Sequence, residues 1–339
     1  MKRIVSGIVL IIVLASMQWS AFKVMSAEAS GTIYIRADGS VDPPDAPILN
    51  DGNATYTFID DIFVNAPGIG VERDNIVIDG NGHTLTGSNE SNCIGITLSG
   101  RVNVTIRNTQ IKVFTYGVYL INSYYSSIIG NNIENNNRSI ILGSSSNNSI
   151  SGNNLTANKY DGIAFAYVLG GSSSNYNSIS GNNLTNNMCG IRLLSSSSLG
   201  NMIYHNNFID NHQQVSTGSA NIWDGGYPSG GNYWSDYIGT DLFSGLYQNE
   251  TGSDGIGDAP YVIDGSNRDN YPLMNAIHPL AGDINGDDTV DNFDCEIIAL
   301  AFGSTRSDLI WDPIADINRD GIVDIFDMVG VALHFGETG

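Results

Sequence analysis

Charged side chains are scarce in this sequence of 339 residues, and basic ones are the scarcest. Only 14% of the residues are charged, and 14 Lys and Arg stand against 35 Asp and Glu, a formal charge of −21. Such an acidic chain repels phosphate backbones, so we expect no nucleic-acid partner. The cysteines are three, Cys93, Cys189 and Cys295, without metal-type spacing. This odd number predicts buried free thiols and no disulfide framework.

The missing charges are replaced by small and polar residues. The chain has 39 Gly and is rich in Asn, Ser and Tyr, while 41% of its residues are apolar. That apolar share is enough for a sizeable core, which argues against wholesale disorder. Few charges together with many turn-forming residues disfavour a helical bundle and favour short strands joined by tight turns.

The first 29 residues have the pattern of an export signal. Lys2 and Arg3 precede an apolar run, and Ala27 to Ala29 form an Ala-x-Ala cleavage site. We therefore predict a cleaved signal peptide over 1–29 and a secreted or cell-surface protein. The alternative is an uncleaved anchor, although polar residues dilute the apolar run.

Two short phrases alternate through the middle of the chain. The first is Ile-x-Gly-Asn-Asn-Leu or a close variant and begins at Ile128, Ile150, Ile179 and Ile203. The second, of the type Gly-Ile-x-Leu, recurs at steps of 22, 22, 23 and 28 residues. A period near 22 residues with several short strands per repeat is typical of a parallel β-helix. We assign its coils to 75–215 and a β-rich N-terminal cap to 30–74.

Stacked coils should bring equivalent residues into columns. Strands one coil apart lie about 4.8 Å from each other, so Cys93 and Cys189, four coils apart, cannot form a disulfide. The turns require residues that tolerate positive φ. Three rows are expected, two apolar columns and one ladder of hydrogen-bonded amides: Ile128, Ile150, Ile179 and Ile203; Ile133, Leu155, Leu184 and Phe208; Asn132, Asn154, Asn183 and Asn207.

These repeats resemble the right-handed parallel β-helix superfamily, and most of all the periplasmic NosD-type proteins and their carbohydrate-binding and sugar-hydrolase relatives. The resemblance covers about residues 30–275 and is specific to the fold rather than to a chemistry. NosD-type proteins are associated with the maturation of a copper enzyme. The five histidines of this chain are scattered and form no cluster with methionine, which disfavours copper handling.

The coils offer no catalytic constellation that can be recognised in the sequence. Hydrolysis of a glycosidic bond needs two carboxylates that face each other. The acids between 75 and 215 do not share a repeat position on adjacent coils, and the basic residues are equally dispersed. We leave the catalytic residues unknown and the question of an enzyme open.

A segment rich in aromatic residues and glycine follows over 216–275. Aromatic rings stack on sugar rings and short acceptors bind hydroxyls, while Asp254 and Asp258 are suited to a hard cation. The alternative, which we favour, is a cap that plugs the last coil; the two are compatible. The candidate carbohydrate-binding residues are Trp223, Tyr227, Tyr233, Trp234, Tyr237, Asp254 and Asp258.

Residues 281–339 contain one 12-residue pattern twice, 33 positions apart. Oxygen ligands at positions 1, 3, 5, 7, 9 and 12 are what Ca²⁺ requires in an EF-hand-type loop, with a backbone carbonyl at position 7. We therefore predict two calcium ions and a segment that is unfolded without them. The predicted ligands are Asp283, Asn285, Asp287, Thr289, Asp291 and Asp294 in the first loop, and Asp316, Asn318, Asp320, Ile322, Asp324 and Asp327 in the second.

This pair of loop-helix repeats resembles a type I dockerin, the module that attaches proteins to cohesin domains. Asp at position 12 and the lack of a helix before the loop agree with that family, whereas Asp288 stands where Gly is expected. The resemblance implies that Asn292, Phe293, Ile325 and Phe326 contact cohesin; the alternative for the phenylalanines is packing between the repeats.

The predicted fold class is thus an all-β right-handed parallel β-helix plus a small, all-α, EF-hand-like dockerin. We expect a secreted protein that binds a polysaccharide and is attached through its dockerin to a cohesin-bearing scaffold. Two alternatives remain: a polysaccharide-degrading glycoside hydrolase or lyase, and a structural adhesion protein.

Overall fold

The protein is described from a computed structural model. It describes residues 27–29, 31–88, 90, 93–165, 173–277, 282–284, 289–305, 308, 310, 315, 317 and 322–337, with side chains from residue 31 onward. The predicted signal lies outside these residues except for the strand Ala27–Ala29, which pairs in parallel with Ile62–Val64.

Three long sheets run the length of the β-helix and are called here sheets 1, 2 and 3. Sheet 1 contains, in spatial order, Ala27–Ala29, Ile62–Val64, Thr84–Thr86, Gln110–Lys112, Asn132–Glu134, Asn154–Thr156, Asn183–Thr185, Asn207–Ile209 and Tyr233–Trp234. Sheet 2 contains Val41–Asp42, Ile33–Ile35, Ile69–Val71, Ile94–Ser99, Tyr116–Ile121, Arg138–Gly143, Asp161–Phe165, Cys189–Leu193 and Gln213–Thr217. Sheet 3 contains Ile48–Asp51, Thr55–Phe58, Ile76–Asp79, Val104–Arg107, Ser127–Ile129, Ser149–Ser151, Ser178–Ser180 and Met202–Tyr204.

Each coil contributes one strand to each sheet, which gives a solenoid of the right-handed β-helix type with about seven turns. The predicted apolar columns are confirmed. Ile128 pairs with Ile150 and Ile150 with Ile179, and all three are fully buried. Alternate side chains of a strand point to opposite faces, so one isoleucine or leucine per short strand enters the core. The turn before each buried Asn needs positive φ, and Gly152 has φ +63° there.

The sheets continue without a break into the segment assigned to the N-terminal cap. Ile33–Ile35 pairs in parallel with Ile69–Val71, and Thr55–Phe58 pairs with Ile76–Asp79. Two antiparallel strands, Val41–Asp42 and Ile48–Asp51, close the N-terminal ends of sheets 2 and 3. They cover strand edges that would otherwise be exposed.

The main amide ladder lies one residue before the predicted one. Asn154 does donate to Asn132 and Asn207 to Asn183, but Asn132 and Asn154 lie on the outer side of sheet 1. The residue before each of them is the buried one, and its Nδ2 donates to the Oδ1 of the equivalent Asn in the next coil. The predicted row is thus in register and forms two of its three side-chain hydrogen bonds. The prediction missed the continuous buried ladder beside it, because the repeat alone does not distinguish a strand position from the turn position before it.

Three buried ladders of this kind run along the solenoid in the same direction, and each reaches an Asp at the C-terminal end. The first is Asn131, Asn153, Asn182, Asn206, Asn232 and Asp269. The second is Asn136, Asn158, Asn187, Asn211, Gln214 and Asp236. The third is Asn148, Asn177, Asn201, Asn221, Asn267 and Asp264, in which Asn221 donates its backbone N–H.

The described residues beyond the coils include two small hairpins and two helices. The hairpins are Phe243–Ser244 with Glu250–Thr251 and Tyr261–Val262 with Arg268–Asp269. The helices, α1 (Asn292–Ala301) and α2 (Ile325–His334), contact each other and share a hydrophobic cluster separate from the main core. In the part of the chain that the structure describes, no helix has the length and apolarity needed to cross a membrane.

The cysteines are free, as predicted. Cys93 and Cys189 are buried, and Cys295 is half-buried. Burial raises the pKa of Cys189 to about 11, so this thiol stays protonated and is not a nucleophile at neutral pH.

Candidate functional site

The two C-terminal repeats build matching local structures around the carboxylate at loop position 12. In the first repeat, Asp294 accepts hydrogen bonds from the backbone N–H of Ile284 at 2.6 Å and of Asp291 at 2.7 Å. In the second, Asp327 accepts from the N–H of Asp324 at 2.8 Å. Both carboxylates are fully buried. Each therefore ties the start of its helix back to its loop.

Capping boxes explain why each helix begins where it does. The side chain of Asp291 accepts from the N–H of Phe293, and that of Asp324 accepts from the N–H of Phe326. Such reciprocal capping satisfies N–H groups that a helix start leaves without an intrahelical partner. The residues at positions 9 and 12 of each loop, predicted as calcium ligands, thus also cap the helix that follows.

The repeats also exchange backbone hydrogen bonds across a pseudo-twofold relation. Val290 donates to Glu337, beyond α2, and Val323 donates to Ser304, beyond α1. The side chains of Val290 and Val323 are fully buried. The two loop-helix units are therefore halves of one folding unit.

The residues expected to contact cohesin lie on the outside of this unit. Phe293 is 62% exposed, Phe326 67% and Ile325 55%, and Asn292 is exposed as well. The two phenylalanines do not pack between the repeats, so the structure disfavours that alternative.

Seven predicted calcium ligands lie among the described residues, and the other five lie outside them. Asp283, Thr289, Asp291 and Asp294 are described in the first loop, and Ile322, Asp324 and Asp327 in the second. Asn285, Asp287, Asp316, Asn318 and Asp320 are outside the described residues.

The tryptophans proposed for sugar stacking instead close the end of the core. Trp223 and Trp234 are each 1% exposed. The ring of Trp234 stacks between Phe208 and Tyr261, with centroid distances of 4.2 Å on both sides. Their indole N–H groups donate to Asn267 and Asp269. These two rings are not accessible to a sugar, and their role is that of the cap.

The remaining residues of that candidate set hold the cap loops together. Tyr237 donates its hydroxyl to the carbonyl of Ala259 at 2.6 Å. Asp258 accepts from the N–H groups of Leu242 and Phe243, and these bonds lower its pKa against the effect of burial. Tyr227, Tyr233 and Tyr237 are half-buried, Asp258 is half-buried and Asp254 is exposed.

A buried carboxylate at the end of the first ladder was not predicted from the sequence. Asp269 is fully buried and accepts from the backbone of Asn232 and Tyr271 and from the indole of Trp234. Burial raises its pKa to about 7, against the opposing effect of these hydrogen bonds.

The surface of the coils holds a shallow depression of about 390 Å³ between sheets 3 and 1. It spans three coils and is lined by uncharged residues: Asn81, Gly82, Asn108, Thr109, Gln110, Gly130 and Asn132. Amide side chains offer both donors and acceptors, which suits hydroxyl-rich ligands.

Sheet 2 brings together three charged residues that sequence reasoning treated as dispersed. Asp161 is 1% exposed and accepts from the Nε of Arg138 and the Nε of Arg192, each at 2.6 Å. Arg138 and Asp161 occupy paired positions on adjacent strands, and Arg192 lies on the next coil. Unequal spacings of 23 and 31 residues hide this arrangement in the sequence.

The potential metal donors of the described residues are dispersed. No three His, Cys, Asp or Glu side chains among them are grouped so as to hold a metal ion. Three of the described histidines have separate local partners: His83 lies 3.5 Å from Asp61, His334 lies 3.1 Å from Glu337, and His205 contacts the carbonyl of Ser229 at 2.5 Å. This donor set does not fit a copper site.

The chain matches one protein-family model over more than half of its length. Residues 45–239 match the model of the family described as "Periplasmic copper-binding protein (NosD)". A search of curated proteins finds no match. The matched range covers most of the coils and the start of the cap.

Proposed function

The chain belongs to the NosD family, and from that premise we propose that it is an exported β-helix protein that binds a polysaccharide on its coils. We further propose that its C-terminal module binds two calcium ions and attaches it to a cohesin-bearing partner. The periplasmic family supports a periplasmic or extracellular location. Copper is not part of the proposal, because the described donor set does not fit it.

The attachment proposal is carried by the repetition of buried carboxylates in the C-terminal module. Asp294 and Asp327 are equivalent, fully buried and 33 residues apart. Residues 281–339 contain 13 acids against 2 bases, a charge of −11. Two Ca²⁺ ions bound by the loops would cancel about four of these charges. The exposed Phe293 and Phe326 supply apolar surface for a partner.

Calorimetric titration of calcium into the chelator-treated full chain tests this proposal. We expect two ions per chain, and the loss of one of them in each of Asp294→Asn and Asp327→Asn. Asp308→Asn is the matched control, since Asp308 lies in the same module and bonds to Thr305 outside both loops. Retention of both ions in both loop variants would contradict the proposal.

The polysaccharide proposal rests on the uncharged, amide-lined depression across three coils. Affinity electrophoresis against a panel of soluble polysaccharides, with a reducing-sugar assay in parallel, distinguishes binding, turnover and neither. We expect Gln110→Ala and Asn132→Ala to weaken binding. Asn183→Ala is the control, because Asn183 occupies the same outer row of sheet 1 beyond the depression. Equal weakening by all three variants would count against this site.

A further inference from the structure

The middle coils form a basic region within an acidic protein. Residues 101–209 contain six Lys and Arg but only two acids, Glu134 and Asp161, whereas the whole chain has a formal charge of −21. Arg101 and Arg107 are paired with acids of the preceding coil. The positive charge that remains belongs mainly to the coils around Arg138 and Arg192. A local excess of one sign attracts ligands of the opposite sign.

Arg138 and Arg192 are held side by side with most of their donors unused. Each guanidinium bonds to Asp161 through Nε alone. Among the described residues, the Nη groups of both side chains have no hydrogen-bond partner. The side chains are 33% and 25% exposed, whereas Asp161 is 1% exposed. The shared carboxylate is therefore an internal anchor, and the outward side of the cluster has a net charge of +1.

Two tyrosines lie on the Arg138 side of this cluster. The guanidinium carbon of Arg138 lies 5.3 Å from the centre of the Tyr160 ring, which is 40% exposed. Tyr116 occupies the position paired with Arg138 on the preceding coil, and its ring contacts that of Tyr119 at 5.6 Å. Flat apolar rings beside fixed cations are the surface that a sugar with an acidic substituent requires.

We propose that Arg138 and Arg192 on the outer face of sheet 2 bind the anionic groups of an acidic polysaccharide. Their Nη groups donate to carboxylate or sulfate oxygens, and Tyr116 and Tyr160 pack against the sugar rings. A purely structural ion pair that ties adjacent coils together would need only the two Nε contacts to Asp161. It would not explain why the Nη donors are unused or why tyrosines lie beside them. This inference deepens the proposed function, because it assumes that the ligand is a polysaccharide, but it concerns a surface distinct from the uncharged depression.

Calorimetric titration of the full chain with three probes tests the inference: oligogalacturonate, dextran sulfate and a neutral cello-oligosaccharide. Arg138→Lys and Arg192→Lys keep the charge but remove the planar fork of donors. We expect each to weaken binding of the anionic probe about tenfold or more. Arg107→Lys is the control, since Arg107 bonds to Asp79 through Nε in the same manner on sheet 3. Thermal unfolding of each variant checks that the fold is intact.

The outcomes separate this inference from the proposal on which it rests. Binding of either anionic probe that is weakened at Arg138 and Arg192 but not at Arg107 supports the site, and the probe that binds identifies carboxylate or sulfate. Binding of an anionic probe that none of the three variants weakens indicates attraction to diffuse charge, because lysine keeps the charge, and overturns the site. Equal weakening in all three variants shows that Arg138 and Arg192 are not specific and also overturns it. Binding of the neutral probe alone overturns the anion site and leaves polysaccharide binding standing. If neither anionic probe binds, the anion site is overturned, and the polysaccharide proposal is decided separately by the panel and by the variants at the depression.

Discussion

In the coils, the buried polar side chains are mostly neutral amides and hydroxyls that bond to each other, whereas in the C-terminal module they include Asp283, Asp294 and Asp327. The main core contains 38 buried residues and the second cluster 7 of those described. An amide donates and accepts at once, so a row of amides is satisfied from within. Carboxylates only accept, and those of the module accept from backbone N–H groups instead of from each other. The coils are therefore satisfied from within, whereas the proposed calcium ions would have to balance the negative charge of the module.

Removing calcium should produce the largest difference in stability between the coils and the module. In the presence of a chelator we expect the module to unfold while the coils keep their transition, because two ions at about 1,000 times Kd would contribute roughly 8 kcal/mol. Differential scanning calorimetry of the full chain with and without chelator measures this. Identical traces in both conditions, or an equal helical signal by circular dichroism, would show that the module does not need calcium to fold.

Breaking one amide ladder should lower the free energy of unfolding of the coils by about as much as one bound calcium ion adds to that of the module. Asn153 bonds to Ile128, Ser151 and Asn182 and accepts from Asn131. Asn153→Ala leaves several buried groups without partners, so we expect a loss of about 4 kcal/mol in the free energy of unfolding. Chemical denaturation measures it.

The adjacent residue provides the control for the ladder. Asn154 is exposed and makes two side-chain hydrogen bonds. Asn154→Ala should therefore cost less than about 1 kcal/mol. Equal losses for Asn153→Ala and Asn154→Ala would show that burial of the ladder is not what stabilises the coils.

The C-terminal cap contains both a buried amide ladder and a buried carboxylate, because the first ladder ends on Asp269. Burial raises the pKa of Asp269 to about 7, above its value in the unfolded chain. The protonated acid is thus favoured on folding, and its stabilising effect is lost as the pH rises through 7. We expect the cap to be about 3 kcal/mol more stable at pH 5 than at pH 8.

Hydrogen exchange at the amides of 232–237 at both pH values measures the stability of the cap. Asp269→Asn does not titrate and should remove most of the pH dependence. A variant that keeps the full pH dependence would assign it to another group.

The smallest effect is expected on the exposed face of the module. Phe293→Ser and Phe326→Ser should change the free energy of unfolding of the calcium-loaded module by less than about 0.5 kcal/mol, since both rings are largely exposed. Ile298→Ala, in the core of the module, should cost about 3 kcal/mol. Urea denaturation with saturating calcium compares them. A large loss of unfolding free energy in the phenylalanine variants would indicate that these side chains pack between the repeats after all.

The sequence predicted the features that repeat and missed those that depend on one coil. The isoleucine columns and the solenoid were predictable because the same physical demand recurs in every coil. The buried Asn153 was confused with Asn154 because a pair of identical residues carries no sign of which one faces inward. Arg138, Asp161 and Arg192 were missed because their contact follows from stacking across coils of different length.

The three ladders also give the solenoid a direction. Apart from that of Asn221, which continues the third ladder through its backbone N–H, every side-chain amide in them donates toward the C-terminal end. Each ladder is thus a row of largely aligned dipoles that ends on Asp269, Asp236 or Asp264. A further coil, or a second chain stacked end to end, would have to offer an amide oxygen where a carboxylate already accepts the last N–H. The three acids therefore end the ladders, and a coil stacked at this end would not continue the rows of amide hydrogen bonds.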